Sequence, residues 1–387
     1  MKRKKLYPAL FAIALGLTIP TLSSCSDDDD NKDNKLGVEY YSADAAKTYL
    51  HDAFVDSKNS LHSVDVSETQ FATLQSIHSY FHEKYGDYTI DGGSQVFTPK
   101  ELLEKLKKVV NGEVSASEIR AKLEAAAGTY TPDDATKKWV KTEETPGVIK
   151  LAFKDKNGKD AAITVSGTNL GTVGGGVVQT ITGENLNFSI SLLDINPGNN
   201  STITRIQLGR FKITSTSMSS KNGKTKSTII YMDDNPLVNK TQTSSGKNLN
   251  DAVLNNNEYE KVVTRSVVFD KVVIVRTNNN YQAVKEAVTK KYASQEEKLQ
   301  AVANAMNANM KSIIFDNKGK LLFTTTKVVK KDGNNTYFSD QFTAGDGTVF
   351  QMGDFFYDQN TLQIFSQRMN GIYEMIKNLG ADVDITL

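Results

Sequence analysis

The chain has 387 residues, and its 46 basic residues nearly balance its 45 acidic ones. Nucleic-acid binding needs a basic footprint, so this composition excludes nucleic acid as an expected partner. Cys25 is the one cysteine, which excludes an internal disulfide and leaves the burial of apolar groups as the source of stability.

Residues 1–24 have the layout of a secretory signal peptide. A basic stretch, Lys2 to Lys5, precedes an apolar run from Leu6 to Pro20. That run is shorter than the roughly 20 residues that a membrane-spanning helix needs, and the order of charge and hydrophobicity is typical of a cleaved leader. Cleavage would leave 42 basic and 45 acidic residues, a net charge of −3.

The segment Leu22-Ser23-Ser24-Cys25 resembles the lipobox of bacterial lipoproteins. The resemblance implies a diacylglycerol thioether on Cys25, cleavage before it and acylation of the new amino group. The chain would then be anchored in outer-membrane lipid, and two or more acyl chains make such anchoring stable. The alternative is an ordinary cleaved leader followed by a free thiol.

An acidic run follows the cysteine and resembles the export signal of Bacteroidota surface lipoproteins. It consists of Ser26, Asp27, Asp28, Asp29 and Asp30. The resemblance implies an outer-membrane location facing the extracellular medium, whereas the alternative is a plain solvated linker. In either case residues 25–40 are predicted to be an acidic, disordered tether, because they cannot bury apolar surface and like charges extend the chain.

Residues 41–128 are predicted to form a helical region. Capping-box patterns predict helix starts at Ser67, Thr98 and Ser115. After the first of them, apolar and aromatic residues recur at helical spacing and predict one buried face. These residues are Phe71, Leu74, His78, Phe81 and Tyr85, and Gly86 follows as a stop.

Residues 129–277 are predicted to be rich in β-structure. Asn157-Gly158 and Asn222-Gly223 predict two hairpins with two-residue turns. Gly209 interrupts an alternating pattern and predicts a bulge, and the polar residues 233–257 predict a long loop. The stretch from Tyr259 to Val275 is predicted to be one long strand, or two strands bent near Asp270.

Residues 278–387 are predicted to contain a helix pair, a β-meander and a closing helix. Ser294 begins a capping box that restarts the helix running from Tyr281 to Met310. From Leu362 to Leu379, apolar residues recur at helical spacing, which predicts an amphipathic helix against the preceding sheet. Together the regions predict an α+β fold with a helical layer first and antiparallel sheets or a meander packed on helices.

Two further segments resemble a group of Bacteroidota lipoproteins that has no assigned activity. One runs from Trp139 through Asp155-Lys156-Asn157-Gly158 to Gly167, and the other from Phe342 through Asp346-Gly347-Thr348 and Phe355-Phe356 towards the closing helix. The resemblance implies kinship and carries no catalytic residues.

The four histidines, His51, His62, His78 and His82, suggest one candidate metal site. His78 and His82 are four residues apart on a predicted helix, so both could bind one zinc ion. The zincin pattern places a glutamate directly after its first histidine, but Ser79 stands there. The alternative is a half-buried histidine on the apolar helix face.

Three acidic pairs could supply the two carboxylates of a glycosidase, although neighbouring acids in loops are usually solvated and their separation in space decides the question. The pairs are Asp133-Asp134, Glu143-Glu144 and Asp233-Asp234. The glycine-rich residues 171–176 lack phosphate-loop spacing, and Asp155 to Gly158 lacks the ligands of a calcium loop. Both segments are therefore interpreted as turns or strand connections.

Nine aromatic residues lie between Tyr337 and Tyr373. They could stack on sugar rings, but their strand and helix spacing favours the core.

The sequence therefore favours a non-catalytic, lipid-anchored surface protein that uses no cofactor and binds a glycan, a lipid or a partner protein. The alternatives are a metal-dependent hydrolase using His78 and His82, and a structural component of the envelope.

Overall fold

A computed structural model describes residues 38–62, 64–90, 121, 123–169, 175–196, 201–220, 223–232, 234–246, 259–333 and 335–351. Residues 25–37 of the predicted tether, including Cys25, lie outside these ranges. The predicted closing helix and most of the second and third predicted helices also lie outside them. No helix within the described ranges is long and apolar enough to cross a membrane.

Four helices have both ends within these ranges, and residues 121 and 123–125 belong to a further helix. The four are α1 (Ala43–His62), α2 (Val64–Tyr85), α3 (Tyr281–Thr289) and α4 (Gln295–Asn309). The capping box before α4 is confirmed, because the Ser294 hydroxyl accepts from the Glu297 amide at 3.1 Å. The start predicted at Ser67 is wrong, because α2 already begins at Val64.

Seventeen strands lie within the described ranges. The first nine are β1 (Thr89–Ile90), β2 (Gly128–Asp133), β3 (Lys138–Glu143), β4 (Val148–Lys154), β5 (Asp160–Asn169), β6 (Gly175–Gly183), β7 (Leu186–Asn196), β8 (Ser201–Leu208) and β9 (Phe211–Ser220). The others are β10 (Gly223–Met232), β11 (Asn235–Ser245), β12 (Lys261–Val268), β13 (Val272–Asn278), β14 (Met310–Asp316), β15 (Leu321–Asp332), β16 (Asn335–Ala344) and β17 (Val349–Gln351).

All strands belong to one mixed sheet. It begins in the order β1-β3-β2-β4, with parallel pairs β1–β3 and β2–β4. From β4 to β17 each strand pairs antiparallel with the next one along the chain. The sheet therefore continues across residue 277, where the sequence suggested a boundary.

The predicted α+β class is wrong, because most described residues lie in strands of this single sheet and the fold is mainly β. The fold class was predicted wrongly because polar stretches of the sequence form strands. Residues 235–245, interpreted as part of a loop, form β11 and pair with a strand on each side. Gly209 is not a bulge but part of the tight turn between β8 and β9, where Leu208 pairs with Phe211.

Other strand predictions are confirmed. The stretch from Tyr259 to Val275 contains two strands, β12 and β13, and the turn between them has positive φ at Phe269 and Asp270. The meander predicted between residues 313 and 342 corresponds to β14, β15 and β16.

Helices α1 and α2 cover one face of the sheet, which we call the inner face. The buried side of α2, including Leu74, Phe81 and Tyr85, packs in a cluster with strands β2 to β11. Helix α1 contributes Ala46 and Leu50 to a second cluster with strands β12 to β17. The helical face predicted from sequence spacing is thus confirmed, and apolar burial against two successive helices stabilises the long sheet.

Two hairpin turns have the same construction. In the β4–β5 turn, the Asp155 carboxylate accepts from the amides of Asn157 and Lys159 at 2.8 and 2.9 Å. In the β14–β15 turn, Asp316 accepts from the amides of Lys318 and Lys320 at 2.9 and 2.8 Å. The two-residue turn predicted at Asn157-Gly158 is wrong, because Lys154 pairs with Asp160 and residues 155–159 form a longer loop in which Gly158 has positive φ.

The described chain begins against the second of these turns. The Leu321 amide donates to the Glu39 carbonyl at 2.8 Å, and the Tyr41 amide donates to the Leu321 carbonyl at 2.9 Å. The Tyr41 hydroxyl also donates to Asp316 at 3.0 Å. Residues 39–41 therefore lie beside the β14–β15 turn.

Candidate ligand-binding face

The inner face changes from apolar to polar along strands β9 to β16. Because side chains two residues apart on a strand share a face, the apolar positions next to the helices are followed by three cross-strand rows of mainly polar residues. These rows, which we call the polar inner face, include Ser215, Thr228, Lys240, Ser266, Gln242, Thr264, Arg276, Ser312, Thr325, Lys327 and Asp340.

The first row is almost completely withdrawn from solvent. Ser215, Thr228, Lys240 and Ser266 are successive cross-strand neighbours on β9 to β12, and all four are buried. The hydroxyls of Ser215 and Thr228 lie 3.1 Å apart and share a hydrogen bond. Burial of a polar group is unfavourable unless it is hydrogen-bonded, and the bond between Ser215 and Thr228 meets this requirement for two members of the row.

The second row crosses five strands through Gln242, Thr264, Arg276, Ser312 and Thr325. The Ser312 hydroxyl is buried and has no hydrogen-bond partner within the described residues. A buried hydroxyl without a partner is destabilising by about 1–3 kcal/mol. The register of the strands places this hydroxyl next to Arg276.

An ion pair lies in the third row. Lys327 Nζ is 2.7 Å from Asp340 Oδ1, and the two side chains are 15% and 3% exposed. Burial lowers the pKa of Lys327, and the Asp340 carboxylate opposes that shift. The Asn307 side chain holds the Lys327 backbone, donating to its carbonyl at 2.8 Å and accepting from its amide at 2.7 Å.

Arg276 is electrostatically coupled to the same carboxylate. Desolvation by burial lowers the pKa of Arg276, and attraction to Asp340 opposes it. Within the described ranges, the guanidinium makes no hydrogen bond or close ion pair, although the Arg276 carbonyl accepts from Thr264 at 3.3 Å. Asp340 therefore serves two cations, and the cluster of Arg276, Lys327 and Asp340 has one excess positive charge.

The wider face is also basic. Its three rows contain Lys224, Lys226, Lys240, Arg276 and Lys327, and in the part that the structure describes their one acidic side chain is Asp340. Asp316 is also on the inner face, but it caps the turn at the opposite end of β14. This arrangement can bind polar groups through hydroxyls, an amide and cations.

Within the described residues, the predicted metal site at His78 and His82 has no third ligand. The rings of His78 and His82 are 5.7 Å apart between centroids. His78 is half-buried, and burial followed by repulsion from His82 lowers its pKa. Among the described residues no group of three histidines, cysteines, aspartates or glutamates could hold a metal ion.

Four described acidic residues of the predicted pairs make local contacts, and Glu143 is exposed at the end of β3. Asp133 accepts from the Thr136 hydroxyl at 2.7 Å and from the Ala135 amide at 3.0 Å, and Asp134 pairs with Lys84 at 3.1 Å and accepts from Tyr88. These contacts lower the pKa of both aspartates. Glu144 pairs with Lys141 and Asp234 pairs with Lys212, while Asp233 lies outside the described residues.

Of the aromatic residues near the C-terminus, Phe342 and Phe350 are confirmed as core, with centroids 6.3 Å apart in a stacked arrangement. Trp139 is also core and is fully buried between Phe81 and Tyr85. Phe355, Phe356, Phe365 and Tyr373 lie outside the described residues, as do residues 171–174 of the glycine-rich stretch.

Sequence reasoning missed the polar inner face, although two signals for it exist. The β15–β16 hairpin pairs Asp332 with Asn335, and counting back along both strands places Lys327 opposite Asp340. Alternation along β13 likewise places Arg276 on the same side as the buried Val272 and Ile274. The first signal requires the strand register, which a polar sequence defines poorly.

Comparison with protein-family models, curated proteins and solved structures finds no match. The chemistry of the polar inner face is therefore the basis for a functional interpretation.

Proposed function

We propose that this protein is a non-catalytic surface lipoprotein that binds a hydrophilic ligand on its polar inner face. The acylated Cys25 would hold it in the outer membrane, and the acidic residues after it would direct it to the extracellular side. The observation that supports binding is the sequence of buried polar rows ending at the Lys327–Asp340 ion pair.

The position of the tether is compatible with an accessible ligand site. Glu39 and Tyr41 contact Leu321 at the start of β15. Lys327 lies further along the same strand, about 20 Å away at roughly 3.3 Å per residue. With the turn directed towards the lipid, the polar inner face would lie at the membrane-distal end of these strands.

The polar surface favours a glycan or another hydrophilic compound over a lipid. Acyl chains require an apolar cavity, since each buried methylene contributes about 0.8 kcal/mol. Rows of hydroxyl, amide and cationic groups instead offer the hydrogen bonds that hydroxylated ligands require.

A binding screen with two matched variants tests this proposal. The full chain, purified in detergent, is screened against immobilised neutral and acidic oligosaccharides. Thr325→Val removes a hydroxyl from the polar inner face with little change in volume, and Thr324→Val removes its neighbour on the outer face. We expect retained sugars to bind Thr325→Val more weakly and Thr324→Val normally. Binding that is insensitive to both substitutions would place the ligand elsewhere.

The membrane location is tested separately. We expect the Cys25→Ala variant to be absent from the outer-membrane fraction. We also expect protease added to intact cells to degrade the native chain. A native chain that carries an unmodified thiol, or that resists protease on intact cells, would contradict the proposed anchor or its orientation.

A further inference from the structure

We infer that the polar inner face is an oxyanion-binding site and that Arg276, with Ser312 beside it, binds a carboxylate, phosphate or sulfate group of the ligand. This inference rests on the proposed function and specifies the chemical class of its ligand.

The first argument is the charge balance of the cluster. Asp340 neutralises one cation, and its oxygens lie 2.7 and 2.9 Å from Lys327 Nζ. Arg276 is attracted to the same carboxylate but forms no close pair with it or with any other described residue. An uncompensated charge away from water is unfavourable, and a bound anion would supply the missing negative charge.

The second argument is the unpartnered hydroxyl of Ser312. Ser312 and Arg276 are cross-strand partners on β14 and β13, and the hydroxyl has no partner within the described residues. It can donate to the same oxyanion that a guanidinium binds. Arg276 and Ser312 thus provide a planar cation and a neutral donor side by side.

The third argument concerns the choice of cation. Guanidinium presents paired N–H donors that match the geometry of carboxylate and phosphate oxygens, and it stays charged in partly buried positions. Lys327 is already engaged by Asp340. The ion pair with Asp340 fixes the position of Lys327, and the N–H groups of Arg276 are available to bind the ligand.

Titration of the full chain with glucuronate, galacturonate, phosphate and sulfate tests the inference, with glucose as a neutral probe. We expect at least one anion to raise the melting temperature and to bind less tightly as sodium chloride is added. Arg276→Gln should lower that affinity by roughly tenfold or more, since it removes a charge-assisted pair. Ser312→Ala should lower it by a smaller factor.

The matched control is Arg265→Gln. Arg265 is exposed on the outer face of β12, and its cross-strand partner is Val275, the residue before Arg276. This substitution removes the same charge without touching the polar inner face, so anion affinity should not change. If Arg265→Gln and Arg276→Gln lower the anion affinity equally, the effect of charge is non-specific and the inference is overturned.

Stability without added anion distinguishes a ligand-binding arginine from a structural one. We expect Arg276→Gln to melt at the same temperature as the native chain or higher, because the excess charge is gone. A lower melting temperature, together with no response to any anion, would show that Arg276 merely stabilises Asp340. If neutral oligosaccharides bind and the anions do not, this inference fails while the proposed function stands; if nothing binds, both fail.

Discussion

Lys327 and Asp340 face each other across β15 and β16 and form an ion pair at 2.7 Å, with side chains 15% and 3% exposed. Removing one partner of such a pair leaves the other charge buried without compensation. For Asp340 the effect extends to Arg276, which is attracted to the same carboxylate.

We therefore expect Asp340→Asn to lower the free energy of unfolding by about 3–5 kcal/mol. The double variant Lys327→Met with Asp340→Leu removes both charges, so its free energy of unfolding should fall much less than that of Asp340→Asn. Urea denaturation followed by circular dichroism measures both. If the double variant is as unstable as Asp340→Asn, packing rather than charge accounts for the loss.

The two aspartate-capped turns give a second prediction. Gly158 and Gly319 have φ of +75° and +89°, and a Cβ would meet nothing within 4 Å at either. Replacing either glycine by alanine should therefore be destabilising only through the left-handed backbone, by about 1–2 kcal/mol.

Gly167→Ala is the control for these turns, since Gly167 has no positive φ and a Cβ there would meet only Leu123 at 3.9 Å. It should be neutral or slightly stabilising, because glycine within a strand is unfavourable. Equal effects at all three positions in a thermal melt would contradict the assignment of backbone strain to the turns.

The success of sequence prediction depended on the polarity of the buried face. Leu74, Phe81 and Tyr85 were placed correctly, because apolar residues at helical spacing indicate which side is buried. In β11, by contrast, Lys240 and Ser244 are buried side chains in a polar stretch. Hydrophobic periodicity cannot detect a strand whose buried face is polar, so the site and the fold class were missed for the same reason.

The aromatic cluster around Trp139 gives a third prediction. Its ring is fully buried, and its centroid lies 5.9 Å from Phe81 and 5.3 Å from Tyr85. Trp139→Ala should lower the free energy of unfolding by about 3–5 kcal/mol through the cavity it creates. Its indole N–H has no partner in the described part of the chain.

Trp139→Phe should therefore lose much less stability than Trp139→Ala, because no hydrogen bond within the described residues is removed and most of the ring is kept. Urea unfolding measured by circular dichroism compares the three proteins. A loss for Trp139→Phe close to that of Trp139→Ala would show that the indole N–H has a partner that stabilises the fold.

Acid sensitivity is expected from His78. Burial, followed by repulsion from His82, lowers its folded-state pKa below the ordinary value of 6.5. The unfolded chain therefore binds more protons than the folded chain once the pH falls below about 6.5, and the stability of the folded state falls with it. The loss ends below the folded-state pKa, where both states are protonated.

His78→Phe should remove this part of the acid dependence, since phenylalanine does not titrate. Urea midpoints measured above and below pH 6.5 compare it with the native chain. We expect a smaller drop in midpoint for His78→Phe than for the native chain. An undiminished drop in His78→Phe would show that other groups cause the acid sensitivity, and would leave the lowered pKa of His78 without an effect on stability.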